Sequence, residues 1–302
     1  MTPSLLNRVK SRLYLRARRA VTHLLDGQYA SIHRGRSLDF NDLREYVPGD
    51  EIGDIDWKAT ARSGETLVRR YTAERRHRIL FVVDSGRNLG VNSAAGDPKY
   101  RLAIETVGVL GWLTIRHGDE VGLLLGDEKS ATQLPFRASE SALERALWQI
   151  EASGKTQDAH RSDLAGLLER VRRTVRHRTA LVVIADEIEF DDDLERLIST
   201  LAVQHELVWI ELADAVLAGE DAVLVGAGNR GGFDVDGSWS MPSALQLDRR
   251  LQREYEAAVA QRRERIRAIF DRHGISVGRV ADVDAVAPEL LRLLKARRHA
   301  RA

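Results

Sequence analysis

Ile79-Leu80-Phe81-Val82-Val83-Asp84 decides the fold, and Leu181-Val182-Val183-Ile184-Ala185-Asp186 repeats its message a hundred residues later. Each is a short, branched, wholly apolar run that stops at an aspartate. Strands buried on both faces of a parallel sheet read as continuous apolar runs, not as alternating ones. In an open α/β sheet, ligands bind in the crevice beyond the carboxyl ends of the strands. Asp84 and Asp186 therefore become candidates for one metal or partner site. The competing reading is that each aspartate only caps a loop, a common task for this residue.

Working outward, the chain alternates strand and helix from Arg78 onward. After the strand at 79–83 the pattern predicts a helix over 100–117, a strand at 121–125 and, past the Gly126-Asp127 turn, an antiparallel edge strand at 130–134. Helices are expected at 140–151, 163–176 and 191–203, and strands at 180–185, 207–212 and 275–280. A long charged helix at 243–272 and a terminal one at 287–298 complete the set. This succession implies a mostly parallel sheet with helices on both faces. Residues 214–242, rich in Gly and Asp, interrupt it as an inserted hairpin or loop.

The composition is that of a globular protein: 302 residues, 43% apolar and 30% charged, with 46 basic and 45 acidic side chains. So balanced a charge gives no global argument for nucleic acid. There is no cysteine, which excludes disulfides and thiolate metal sites. No apolar stretch approaches the ~20 residues needed to span a bilayer. Arginines interrupt the N-terminus where a signal peptide would have its apolar core. The expectation is a cytoplasmic protein.

Two segments precede the alternating part. In residues 1–26, Leu6, Val9, Leu13, Ala17, Ala20 and Leu24 recur at helical spacing, while Arg8, Lys10, Arg12, Arg16, Arg18 and Arg19 crowd the other sides. Such a basic amphipathic helix packs on its own domain or lies on an anionic membrane surface as a scaffold. Residues 27–76 are rich in Gly, Asp, Arg and aromatics, with a turn at Pro48-Gly49-Asp50 and a strand expected over 66–71. Residues 77–298 form the third unit.

Few motifs point to catalysis. Gly226-Ala-Gly228-Asn-Arg-Gly231 fits the dinucleotide pattern, but it runs into turn-like sequence where a helix is required. There is no G-x-x-x-x-G-K-[ST] loop, no H-E-x-x-H pair and no G-x-S-x-G elbow. Asp50, Asp54, Asp56 and Lys58 supply one enzymatic alternative: acids that hold Mg²⁺ and a lysine beside them, as in a metal-dependent hydrolase or nuclease.

The strongest signal lies between 29 and 76. Arg34-Gly35-Arg36, Asp39-Phe40, Asp42-Leu43-Arg44-Glu45-Tyr46, Pro48-Gly49-Asp50, Ile55-Asp56-Trp57-Lys58-Ala59-Thr60-Ala61-Arg62 and Glu74-Arg75 occur in order. This set resembles the signature of the bacterial family called domain of unknown function fifty-eight, which is similar to von Willebrand factor A domains and associated with MoxR-type AAA+ ATPases. The resemblance covers about residues 27 to 298.

It implies a von Willebrand A-like, mostly parallel sheet with one short antiparallel edge strand between two helical layers. It also implies a metal-ion-dependent adhesion site, D-x-S-x-S after the first strand with a later Thr and Asp. Carried over, Asp84 is the first Asp, Gly86 replaces the first Ser, Asn88 stands at the second, Ser162 replaces the Thr, and Asp186 is the last Asp, preceded by Ala185 where a serine is usual. Mg²⁺ bound by Asp84, Asn88, Ser162 and Asp186 would keep several waters and accept an acidic side chain from a partner. The alternatives are that Arg87 neutralises the two acids, or that Ser162 merely caps the following helix. The implied function is a non-enzymatic adaptor or co-chaperone for a MoxR-type AAA+ ATPase and its client protein. Arg44, Asp50, Asp56, Trp57 and Arg62 would form a second partner-binding surface.

Overall fold

The computed structural model describes residues 4–15, 24–25, 29, 42–48, 50, 55–70, 77–93, 95–156, 158–186, 190–213 and 249–301. The glycine motif at 226–231, the 214–242 interruption, Asp54 and the signature residues at 34–40 and 74–75 lie outside them.

In chain order the elements are α1 (Leu5–Leu15), β1 (Asp42–Glu45), α2 (Trp57–Ser63), β2 (Leu67–Arg70), β3 (Arg78–Asp84), α3 (Lys99–Arg116), β4 (Glu120–Gly126), β5 (Ala131–Arg137), α4 (Glu140–Lys155), α5 (Leu164–Thr174), β6 (Ala180–Ala185), α6 (Asp192–Gln204), β7 (Glu206–Leu212), α7 (Arg249–Arg272), β8 (Ser276–Val280) and α8 (Val286–Arg301). A 3₁₀ turn, Arg87–Gly90, follows β3.

Six strands form one sheet in the order β5-β4-β3-β6-β7-β8. All pairs are parallel except β4–β5. This is the expected mostly parallel sheet with one antiparallel edge strand, helices on both faces and a helix in front. The apolar runs are buried throughout because both faces are covered. Ile79, Phe81, Val83, Val182 and Ile184 pack with α1, α3, α4 and α8, and Leu80, Val82, Leu181 and Val183 with α5, α6 and α7. At β5 the register shifts between Val121 and Leu123, where Pro135 lies in the edge strand. Proline donates no hydrogen bond to a ladder and is confined to edges and bulges.

The apolar side of α1 is buried, with Leu5, Leu6, Val9 and Leu13 each no more than 3% exposed. A Cβ on Gly108 would lie 2.9 Å from both Val9 methyl carbons, so α3 meets α1 closely because residue 108 has no side chain. Glu144 on α4 accepts from the Leu5 and Leu6 backbone N–H groups, both at 2.8 Å, and from Ser4 Oγ. A carboxylate 139 residues away thus satisfies amides that open the helix. Burial alone would raise the Glu144 pKa, but these N–H groups hold it below the usual range. Two basic residues of α1 reach acids of the domain while staying partly exposed: Arg12 meets Glu105 at 2.7 Å and Lys10 meets Glu140 at 2.5 Å. The face that a membrane scaffold would lay into lipid is covered by protein. Arg16, Arg18 and Arg19 lie outside the described residues. No described helix is long and apolar enough to cross a membrane.

Strands β1 and β2 pair antiparallel apart from the large sheet, Asp42 opposite Arg70 and Glu45 opposite Leu67.

Candidate functional site

Strands β3 and β6 lie side by side, Val83 opposite Ile184. Asp84 ends β3 and Asp186 follows β6, so the two acids emerge at the same carboxyl edge. From β3 the chain crosses to β4 on one side, while β6 lies on the other. The crevice between β3 and β6 is therefore the switch point of the sheet, the place where open α/β folds bind ligands. Both acids are nearly enclosed, Asp84 at 7% and Asp186 at 9% exposure.

The loops above this edge are tied together. Asp84 Oδ1 accepts from the Gly86 backbone N–H at 3.1 Å. The Arg87 N–H donates to His160 O and the Arg87 side chain donates through Nε to Ala159 O, both at 2.9 Å. Gly86 is pressed against Ser162: a Cβ there would lie 2.2 Å from Ser162 Oγ and 2.5 Å from its backbone nitrogen. No residue with a side chain fits at position 86 unless the 159–162 loop moves. Ser162 is not the helix cap. That task falls to Asp163, whose side chain accepts from the Gly166 N–H at 2.9 Å. Asp84, Asn88, Ser162 and Asp186 line one recess, with Leu89, Lys99 and Leu212.

Lys99 is the residue that sequence reading missed. Its side chain is fully buried, and Nζ donates to Asp186 Oδ2 at 2.5 Å. Fully buried lysines are rare unless paired. This one also opens α3, where the helix dipole disfavours a cation by about 0.3–1 kcal/mol. The first turn of α3 has no acid. The loop before it is pinned from a distance: Ser93 Oγ donates to Ala281 O, and Asp97 Oδ2 accepts from the Val283 N–H. A residue that breaks two local preferences and is held by long-range contacts marks a site at which another requirement prevails. Arg87, offered as an alternative cation for the two acids, is exposed and bound to the neighbouring loop.

The donor set does not fit octahedral Mg²⁺. Such an ion needs six oxygens at about 2.1 Å and keeps several waters. Here one Asp84 oxygen receives the Gly86 N–H, one Asp186 oxygen receives an ammonium, and Gly86 supplies no side-chain oxygen. The recess has a free volume of about 10 Å³, at the lower limit for a single water. Among the described residues, no group of three or more His, Asp or Glu is placed to hold a metal.

The residues proposed for a second surface lie on the β1–α2–β2 unit. Arg44 Nη2 meets Asp50 Oδ1 at 2.5 Å, and the other Asp50 oxygen accepts from the Val47 N–H at 3.0 Å. The Arg44 hydrogen bond, with that N–H, holds the Asp50 pKa below its ordinary value. Asp56 caps α2, accepting from the Lys58 and Ala59 N–H groups at 3.1 Å. Trp57 opens α2 with 65% of its surface exposed, near Tyr46 and Val47 in sequence, which are also exposed. Arg62 stands in the last turn of α2. Of the four residues of the hydrolase alternative, Asp54 lies outside the described residues, while Asp50 and Asp56 serve in a turn and a cap and Lys58 is exposed.

A family model described as Protein of unknown function DUF58 matches residues 42–265. Among curated proteins, uncharacterized proteins of Mycobacterium bovis and of Mycobacterium tuberculosis are each 27% identical over 202 residues, which cover 67% of this chain and 63% of theirs. The chain thus spans under two thirds of these relatives' length. Among solved structures, an aerotolerance-related membrane protein from Bacteroides fragilis aligns with a TM-score of 0.42 at 12% identity, covering 73% of this chain and 99% of that one. BatB from Bacteroides thetaiotaomicron gives 0.41 at 14% identity, covering 75% and 100%. A von Willebrand factor type A protein from Catenulispora acidiphila gives 0.39 at 12%, covering 78% and 44%.

Proposed function

The chain belongs to the family of proteins of unknown function DUF58, and we propose that it works there as a non-enzymatic protein-interaction module, an adaptor or co-chaperone for a MoxR-type AAA+ ATPase and its client. The observation that carries this reading is the placement of Asp84 and Asp186 on neighbouring parallel strands at the switch point of the sheet. The recess between them is too small for a substrate, so what it offers is its rim. Asn88 on the 3₁₀ turn and Ser162 on the facing loop contribute polar groups to that rim. The ATPase supplies the nucleotide chemistry in this scheme.

The exposed Trp57, Tyr46 and Val47 form the second contact. Large aromatic side chains concentrate at interface hot spots.

The test is binding of the purified full chain to a purified MoxR-type ATPase from the same organism. Asn88→Ala, Ser162→Ala and Trp57→Ala are each expected to weaken it about tenfold, about 1.4 kcal/mol, more than most interface residues cost on truncation, with an unchanged circular dichroism spectrum. Full affinity in all three variants, or no binding by the wild type, would remove the reading.

A further inference from the structure

We propose that Lys99 is the resident cation of this edge, an ammonium tethered by the chain that stands where related adhesion sites hold a divalent metal ion, and that the site takes no metal. Four observations converge on it. Two acids end neighbouring strands, both nine-tenths enclosed, and buried like charges at one edge are relieved by a cation beside them or by a proton on one of them. The Lys99 side chain is fully buried and contacts Asp186 at 2.5 Å. It starts from the first residue of α3, an unfavourable place for a cation unless an anion lies opposite. The space an ion and its waters would need is closed from above, because Gly86 and Ser162 are in contact and Arg87 fastens the two loops.

A lysine differs from Mg²⁺ in what it lets a partner do. The metal has open coordination positions that an acidic side chain can fill. An ammonium has three donors and no such vacancy, and this one already serves Asp186. Contacts at the rim are therefore made by hydrogen bonding to Asn88 and Ser162, not by ligation. Resting on the recognition reading above, this makes docking indifferent to chelators.

The experiment uses the full chain and no partner, so its failure is separate from failure of the ATPase reading. Mn²⁺ is titrated and followed by paramagnetic resonance, and thermal unfolding is recorded with Mg²⁺ and with a chelator. The expected result is no saturable Mn²⁺ site and an unfolding temperature the same in both. Saturable binding of one Mn²⁺ per chain that disappears in Asp186→Asn would overturn the proposal. A second readout is the ¹⁵N resonance of the Lys99 ammonium. It is expected to be protected from solvent exchange and to move in Asp186→Asn; an ammonium in fast exchange and unmoved by that substitution would overturn the proposal equally.

Discussion

Lys99 and Asp186 are 87 residues apart in sequence and 2.5 Å apart in space, a buried ion pair joining the head of α3 to the end of β6. Removing one partner of such a pair leaves an uncompensated buried charge and costs about 3–5 kcal/mol. Lys99→Met is expected to lose that much in urea unfolding. The double variant Lys99→Met/Asp186→Leu is expected to recover most of it, since apolar replacement of a whole buried pair is often neutral.

Placing at position 86 the serine of the adhesion-site pattern is expected not to create a metal site. In Gly86→Ser the new Cβ meets Ser162 Oγ at 2.2 Å. Overpacking of this kind costs about 1–3 kcal/mol. Urea titration is expected to show that loss, and calorimetric titration with Mg²⁺ to show no heat of binding.

Two buried groups give stability opposite dependences on pH. Burial, opposed by Arg12 and then aided by Asp284, raises the Glu105 pKa from 4.5 to about 7. The folded form takes up a proton more readily than the unfolded chain, so this contribution is full below 4.5 and is lost as pH rises through about 7. The shift corresponds to about 3 kcal/mol. His205 is 2% exposed with neither ring nitrogen hydrogen-bonded, and burial, with Arg178 nearby, lowers its pKa. Its contribution is full above 6.5 and is lost as pH falls through the depressed folded value. Unfolding measured across pH 4 to 8 is expected to flatten on the rising side in Glu105→Gln and on the acid side in His205→Phe.

Glu144 holds the start of α1. Glu144→Ala leaves the Leu5 and Leu6 amides without their carboxylate while the apolar face of α1 stays intact. Amide exchange at the start of α1 is expected to accelerate about fivefold or more, as loss of a cap worth about 1 kcal/mol or more requires, while β3 and β6 keep their protection.

The hydrolase alternative makes a contrary claim at Asp56. As the cap of α2, Asp56 is expected in Asp56→Ala to cost about 1 kcal/mol of local stability. Asp56→Asn, whose amide oxygen still caps, is expected to be nearly silent. A Mg²⁺-dependent nuclease or phosphatase activity in the wild type, abolished by Asp56→Asn, would favour the enzyme.

The sheet was legible because β3, β4, β6 and β7 are apolar runs bounded by polar residues, and burial on both faces leaves such runs little choice of structure. The expected edge strand at 130–134 stops three residues short of the observed end at Arg137, because Pro135 and the bulge there read as the end of a strand. Asp84 and Asp186 were legible because each follows its strand directly. Lys99 was not, since nothing local says where the head of α3 will lie; the ties from Ser93 and Asp97 to residues beyond β8 decide that. The one available signal was a lysine straight after Pro98, at a helix start that favours acids. Ser162 and Asp163 show the complementary difficulty. Both are good caps by type, and only the backbone geometry assigns the role to the second.

Pro135 has a consequence beyond its own strand. It occupies the outermost strand of the sheet and lacks the N–H through which a neighbouring molecule would hydrogen-bond, and the bulge beside it twists the backbone away from flatness. Growth of the sheet by accretion of further copies is interrupted there, so crowded or partly unfolded chains meet a poor template for fibril formation along that border.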